Sequence, residues 1–179
     1  MKCLSFTRVQ DVLNTELMID FENVYGNLQP AVREEIINLW RSENALADFK
    51  HMEERLRQVV FVIRHSDTGK LAGVSTAEKK KVEALNNNYL YEFRCFIGKA
   101  NRIAGLDVKL SKETFGFLES LSKTDSTKPV GIFSVLENET LKQEPVWRRA
   151  IWPEIEMYFV GYTNAGNPIR VHYFKGARI

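Results

Sequence analysis

Residues 59 to 63 read Val59-Val60-Phe61-Val62-Ile63, a continuous apolar run in which every residue but Phe61 is β-branched. Branched and aromatic side chains fit a pleated strand better than a helix, and a run without alternation marks a strand buried on both faces. The rest of the chain must therefore supply apolar cover for two sides of a sheet. A length of 179 residues is enough for one domain with a substantial core, and one domain over 1–179 is expected. Hydrophobic residues make up 44% and charged residues 27%, a globular balance that argues against long disorder. No apolar run approaches the ~18 residues that span a bilayer, and none resembles a signal peptide. The formal net charge of +2 gives no general attraction to nucleic acid or membrane. The expectation is a cytoplasmic protein that binds neither.

Cys3 and Cys95 lie far apart in strand-like runs and are expected to be buried, reduced thiols. Three histidines without shared spacing make no metal site, so none is expected. Lys79-Lys80-Lys81 is the densest positive run and reads as a solvated loop or strand end.

Along the chain, a first strand is expected near Cys3 to Val9. A helix follows from about Asp11, with Leu13, Leu17, Phe21 and Val24 on one face and Gly26 as its stop. Pro30 opens a second helix whose buried stripe is Val32, Ile36, Leu39 and Trp40. Asn44 to Arg57 reads as a polar helix. The run at Val59 pairs across the turn Asp67-Thr68-Gly69-Lys70 with a strand beginning at Leu71 and reaching Thr76. Tyr89 to Ile97 is a third consecutive strand. Its alternation puts Glu92, Arg94 and Phe96 on one face and Tyr91, Phe93, Cys95 and Ile97 on the other. A loop from Gly98 to Asn101 leads to a long helix with Ile103, Leu106, Leu110, Phe117 and Leu121 on its buried face. Lys123 to Pro129 closes it, with Asp125 and Ser126 as turn formers. Val130 to Leu136 is a strand, Asn138 caps a last short helix, and Ile155 to Tyr162 and Ile169 to Phe174 form a closing hairpin.

This order, with the stretch from Tyr91 to Leu121, resembles the GNAT superfamily of N-acetyltransferases over most of Val59 to Phe174. The resemblance implies an α/β (α+β) fold: a mixed, mostly antiparallel sheet of about seven strands flanked by helices. It also implies a bulge ending the central strand and a following motif Gln/Arg-x-x-Gly-x-Gly/Ala whose backbone amides hold the pyrophosphate of coenzyme A. Arg102-Ile103-Ala104-Gly105-Leu106-Asp107 occupies that place; Arg102 and Gly105 match and Asp107 does not. A helix start leaves N–H groups unpaired, and glycine lets phosphate approach the backbone. Lys99 and Arg102 would add ionic contacts, whereas an Asp107 carboxylate near the pyrophosphate would repel it unless turned away. Phe96, Ile97, Ile103, Ala104, Leu106 and Asn138 complete the expected donor site, Asn138 near the pantetheine arm.

Glu92 stands where family members place a general base. A glutamate between Tyr91 and Phe93 has a raised pKa if partly buried; the alternative for it is a cross-strand ion pair or a solvated face. The family's usual acid, a tyrosine in the short helix, is missing between Asn138 and Trp152, where Pro145 interrupts the helix. Tyr158, Tyr162 and Tyr173 are substitutes, and Tyr173 is taken as the acid. The function implied is transfer of an acyl group from acetyl-CoA or another acyl-CoA to a small-molecule or protein amine. A non-catalytic acyl-CoA-binding or homodimeric module of the same fold is one alternative. An N-acyl synthase supplied by acyl carrier protein, docking on Lys79 to Lys81 or Arg148-Arg149, is another.

Overall fold

The computed structural model describes residues 18–46, 48–123, 128–143 and 145–179. The expected strand at Cys3 to Val9, most of the first expected helix and the turn formers Asp125 and Ser126 lie outside these residues. The described chain forms one eight-stranded mixed sheet with helices on both faces.

The first described strand, β1 (Ile19–Asn23), corrects the helix expected to reach Val24. Ile19 and Phe21 turn inward while Asp20 and Glu22 face solvent, a period of two that a four-residue spacing of apolar residues also fits. Helix α1 (Pro30–Ser42) begins at the expected proline and buries Val32, Ile36, Ile37 and Trp40. The polar helix is shorter than expected: α2 (Phe49–Leu56) starts only where the Asp48 carboxylate accepts from Lys50 N at 3.0 Å. Asn44, at φ 51°, stands in the left-handed turn that separates it from α1.

Strand β2 (Val59–His65) pairs antiparallel with β1 and with β3 (Leu71–Val82). β3 continues past Thr76, so the three lysines form a strand end paired with Tyr91, Leu90 and Tyr89 of β4 (Asn88–Ile97). Helix α3 (Leu106–Lys123) follows β4, and β5 (Gly131–Val135) returns parallel to β4. Then come α4 (Glu139–Gln143), a 3-10 turn over Pro145–Arg148, β6 (Ile151–Trp152), β7 (Met157–Tyr162) and β8 (Pro168–Tyr173). The sheet order is β1-β2-β3-β4-β5-β8-β7-β6. The expected strands from Val59 onward are β2, β3, β4, β5, β7 and β8; β1 and the two-residue β6 were not among them.

β2 is covered on both faces, as its sequence demands. Val60, Phe61 and Ile63 join the core under α3, with Tyr91, Phe93, Ile97, Leu106 and Leu110. Val59 and Val62 join the core under α1 and α2, with Val74 and Phe96 packed there. The alternation read in β4 therefore holds for Phe96 on one face and Tyr91, Phe93 and Ile97 on the other. Two residues depart from expectation. Ile103 precedes α3 and is exposed rather than part of its buried face, and Cys95 is an exposed thiol rather than a buried one. No described helix is long and apolar enough to cross a membrane.

Candidate functional site

β4 and β5 are neighbours for a very short distance. Tyr91 pairs with Ile132 and Glu92 with Phe133, and there the pairing stops. β5 instead stays paired with β8 along its whole length, from Gly131 opposite Tyr173 to Val135 opposite Ile169. The two parallel strands thus open into a fork beyond Glu92. Val130 N donates to Tyr89 O at 2.9 Å, so Tyr89 turns its carbonyl toward β5. By the two-residue repeat Phe93 and Cys95 do the same, which leaves their backbone groups facing the opening. The β3–β4 register runs without a shift from Val82 opposite Asn88 to Gly73 opposite Ile97, so the bulge expected at the end of β4 is not formed.

Because β4 and β5 are parallel, the helices that follow them start at the same end of the sheet, at the mouth of the fork. Asn138 is the cap of α4: its Oδ1 accepts from Leu141 N at 3.1 Å. The approach to α3 is a 3-10 turn at Lys99–Asn101 and then an exposed bend through Arg102, Ile103, Ala104 and Gly105. Gly105 has φ +81°, and a Cβ placed on it would meet nothing within 4 Å. Its carbonyl accepts from Lys109 N at 2.9 Å, closing the first turn of α3. Among the described residues no acceptor bonds the N–H of Ala104, Gly105, Asp107 or Val108, whereas that of Leu106 reaches Ile103 O at 3.3 Å. The bend is an open group of free amides at the positive end of an eighteen-residue helix.

The side chains expected around this bend are distributed less simply. Arg102 folds back so that Nε donates to Ile97 O at 3.1 Å. Lys99 is held by Glu43 at the end of α1, through its backbone N–H at 2.9 Å and its ammonium at 4.0 Å. Leu106 and Ile97 are buried in the core, and only their backbone borders the bend. Phe96 packs with α1 and α2 on the other face. The Asp107 carboxylate lies within electrostatic reach of Cys95 on β4. Its backbone carbonyl accepts from Ser111 Oγ at 2.7 Å.

Glu92 sits at the crotch of the fork with 6% of its surface exposed. Lys80 Nζ lies 2.5 Å from Oε2, and Arg94 donates to Oε1 at 2.5 Å. Burial alone would raise its pKa; the Lys80 and Arg94 charges outweigh this and hold the carboxyl below the usual range. The raised value expected for a general base is corrected, and the cross-strand ion pair is what forms. Tyr173 is not brought to the opening. It pairs with Gly131, on the closed side of the crotch, and packs against the cluster of Leu90, Phe133 and Val171. Tyr158 and Tyr162 are exposed on β7.

Two arginines escaped the sequence reading. Arg170 of β8 is 2% exposed. Its Nη2 donates to Trp147 O at 2.5 Å and to Arg149 O at 2.9 Å, and its guanidinium lies 4.0 Å from the Trp152 ring. It ties the segment after α4 to the sheet. Its sequence signal was an arginine between Ile169 and Val171 of a strand. Arg55, near the end of α2, lines an open cleft of about 530 Å³ together with Gln58, Glu78, Lys80 and Arg94. The cleft lies on the Glu92 face of the sheet.

No protein-family model matches the sequence, and no curated protein is significantly similar to it. Solved structures are. A mosquito arylalkylamine N-acetyltransferase-like protein superposes with a TM-score of 0.62 at 10% identity, covering 87% of this chain and 99% of its own. A GNAT-family acetyltransferase from Listeria monocytogenes gives 0.54 at 18% identity, covering 87% and 94%. An Arabidopsis thaliana protein solved in complex with acetyl-CoA gives 0.55 at 12% identity, covering 87% and 99%. The chain has the fold of the GNAT acetyltransferases.

Proposed function

We propose that this protein is an acyl-CoA-dependent N-acyltransferase whose donor lies in the fork between β4 and β5. The observation that carries this reading is the open bend at Gly105, with its unbonded amides beside a strand edge that stops pairing at Glu92. The amides of Ala104, Gly105, Asp107 and Val108 would hold the pyrophosphate, and the absence of a Cβ at Gly105 leaves it room. The backbone of Phe93 and Cys95 offers a strand edge to an extended, amide-bearing pantetheine arm. The donor supplies an activated acyl carbon: the amine nitrogen attacks the thioester carbonyl, a C–N bond replaces the C–S bond, and the proton lost by nitrogen is matched by one gained by the thiolate.

Glu92 contributes to this arrangement as an anchor. Its charge fixes Lys80 and Arg94 at the crotch, and a carboxylate so stabilised is too weak a base to take a proton from an ammonium group. Deprotonation of the acceptor is therefore assigned to solvent. The same observation favours a second reading, a module that binds acyl-CoA without turning it over. Release of free thiol from acetyl-CoA, followed across a broad panel of amines, separates them. The transferase gives thiol in proportion to one class of acceptor. Donor binding without amine-dependent thiol release would leave only the second reading.

A further inference from the structure

The cleft beside Glu92 has a charge pattern that its own residues do not close. Arg55 Nη1 and Arg94 Nη1 are buried donors without a partner among the described residues, and Gln58 Oε1 is a buried acceptor in the same position. All three side chains line the cleft. The other end of Arg94 is committed to Glu92, and Lys80 is shared between Glu92 and Glu78. Burial and the nearby Arg94 charge lower the Arg55 pKa, with Glu92, Glu78 and Glu137 acting in the opposite sense. Two guanidinium groups facing one cavity with unpaired N–H donors are unfavourable unless an anion joins them.

The charge count limits that anion. Arg55, Arg57, Lys80 and Arg94 line the cleft with Glu54 and Glu78, and Glu92 at its edge takes up Lys80 and one end of Arg94. The donors left over are one N–H on each of Arg55 and Arg94, which the two oxygens of a single carboxylate satisfy. Arg94 also joins the cleft to the crotch of the fork through Glu92, so a ligand anchored on the two arginines sits beside the strand pair that parts there.

We propose that the acceptor is a free amino acid, its carboxylate bound by Arg55 and Arg94 and its amine presented to the fork. This rests on the transferase reading for its chemistry, but the carboxylate site stands on the cleft alone. Acetyl-CoA-dependent thiol release is measured with common α-amino acids and with their primary amides, and binding of both sets is measured by calorimetry without donor. The acids show a KM at least about tenfold lower than the amides, the loss expected when two buried donors go unpaired. Arg55→Gln raises KM for the acids by a similar factor and leaves KM for the amides and kcat unchanged. Amides used as well as acids by the wild-type protein, a comparison that needs no variant, would overturn the proposal. So would an Arg55→Gln effect equal for both sets. Binding of free acids without any turnover would sink the transferase reading and keep the carboxylate site; turnover of amines with no preference for acids would do the reverse.

Discussion

Glu92 shows how burial and charge together decide what one side chain can do. Its folded-state pKa lies below its ordinary value of 4.5, because Lys80 and Arg94 overcome the cost of desolvation. The carboxylate therefore contributes stability at all pH above that ordinary value, and the contribution disappears as pH falls through the lower, folded one. Glu92→Gln is expected to cost about 2 kcal/mol at neutral pH, less than for a fully buried pair because Lys80 and Arg94 are partly solvated. In thermal denaturation, the Tm gap between this variant and the wild type should close as pH falls below the ordinary carboxylate range. A gap independent of pH would show that the charge is not what matters. Asp107 has two opposed effects in the first turn of α3. Asp107→Asn should lower stability by about 0.5 kcal/mol through loss of its interaction with the helix dipole. The same change should tighten coenzyme A binding roughly threefold by removing a like charge. Unfolding and binding titrations on one variant test both signs. At this scale the sequence was a partial guide. That Glu92 lay on the central strand, with a cross-strand ion pair as one alternative, was legible from the sequence, but its partners were not. Arg94 is two residues away on the same strand and Lys80 reaches it from the neighbouring strand, a pairing that only register specifies.

Among the elements, the strands with continuous or alternating apolar patterns were the legible ones, because period and turn residues bound them on both sides. The errors fell where a short apolar spacing fits two periods, as at Ile19 to Val24, or where a polar segment had no pattern, as at Asn44 to Asp48. Ile103 was misplaced for another reason. A residue at helical spacing before the true N-terminus looks like part of the stripe, and only Gly105 at positive φ shows that the helix begins after it. The fork itself could not be read from the sequence, since it depends on β5 remaining with β8 while leaving β4. Gly131 marks how close that β5–β8 contact is: a Cβ there would lie 2.4 Å from His172 O and 3.0 Å from Tyr173 Cα. Gly131→Ala should destabilise the protein by about 2 kcal/mol in chemical denaturation, since a strand must shift to admit one methyl group. An unchanged midpoint would mean that β5 moves freely against β8, and the fork would then lack a fixed wall.

For the whole molecule, the account joins three features around the point where β4 and β5 part: the strand pair that separates at Glu92, two helices that begin at the mouth of the fork, and a charged cleft on the face opposite α3. A fold shared with acetyltransferases makes this arrangement familiar, yet the proposed function depends on one local property, the free amides at Gly105 serving as an anion cradle. Calorimetric titration of coenzyme A into the wild-type protein and Gly105→Val tests it most directly. The wild type should bind with a Kd of about 1–100 µM, and the variant at least tenfold more weakly, roughly 1.4 kcal/mol, while remaining folded. No heat of binding at millimolar coenzyme A, or equal affinity for the folded variant, would contradict the account.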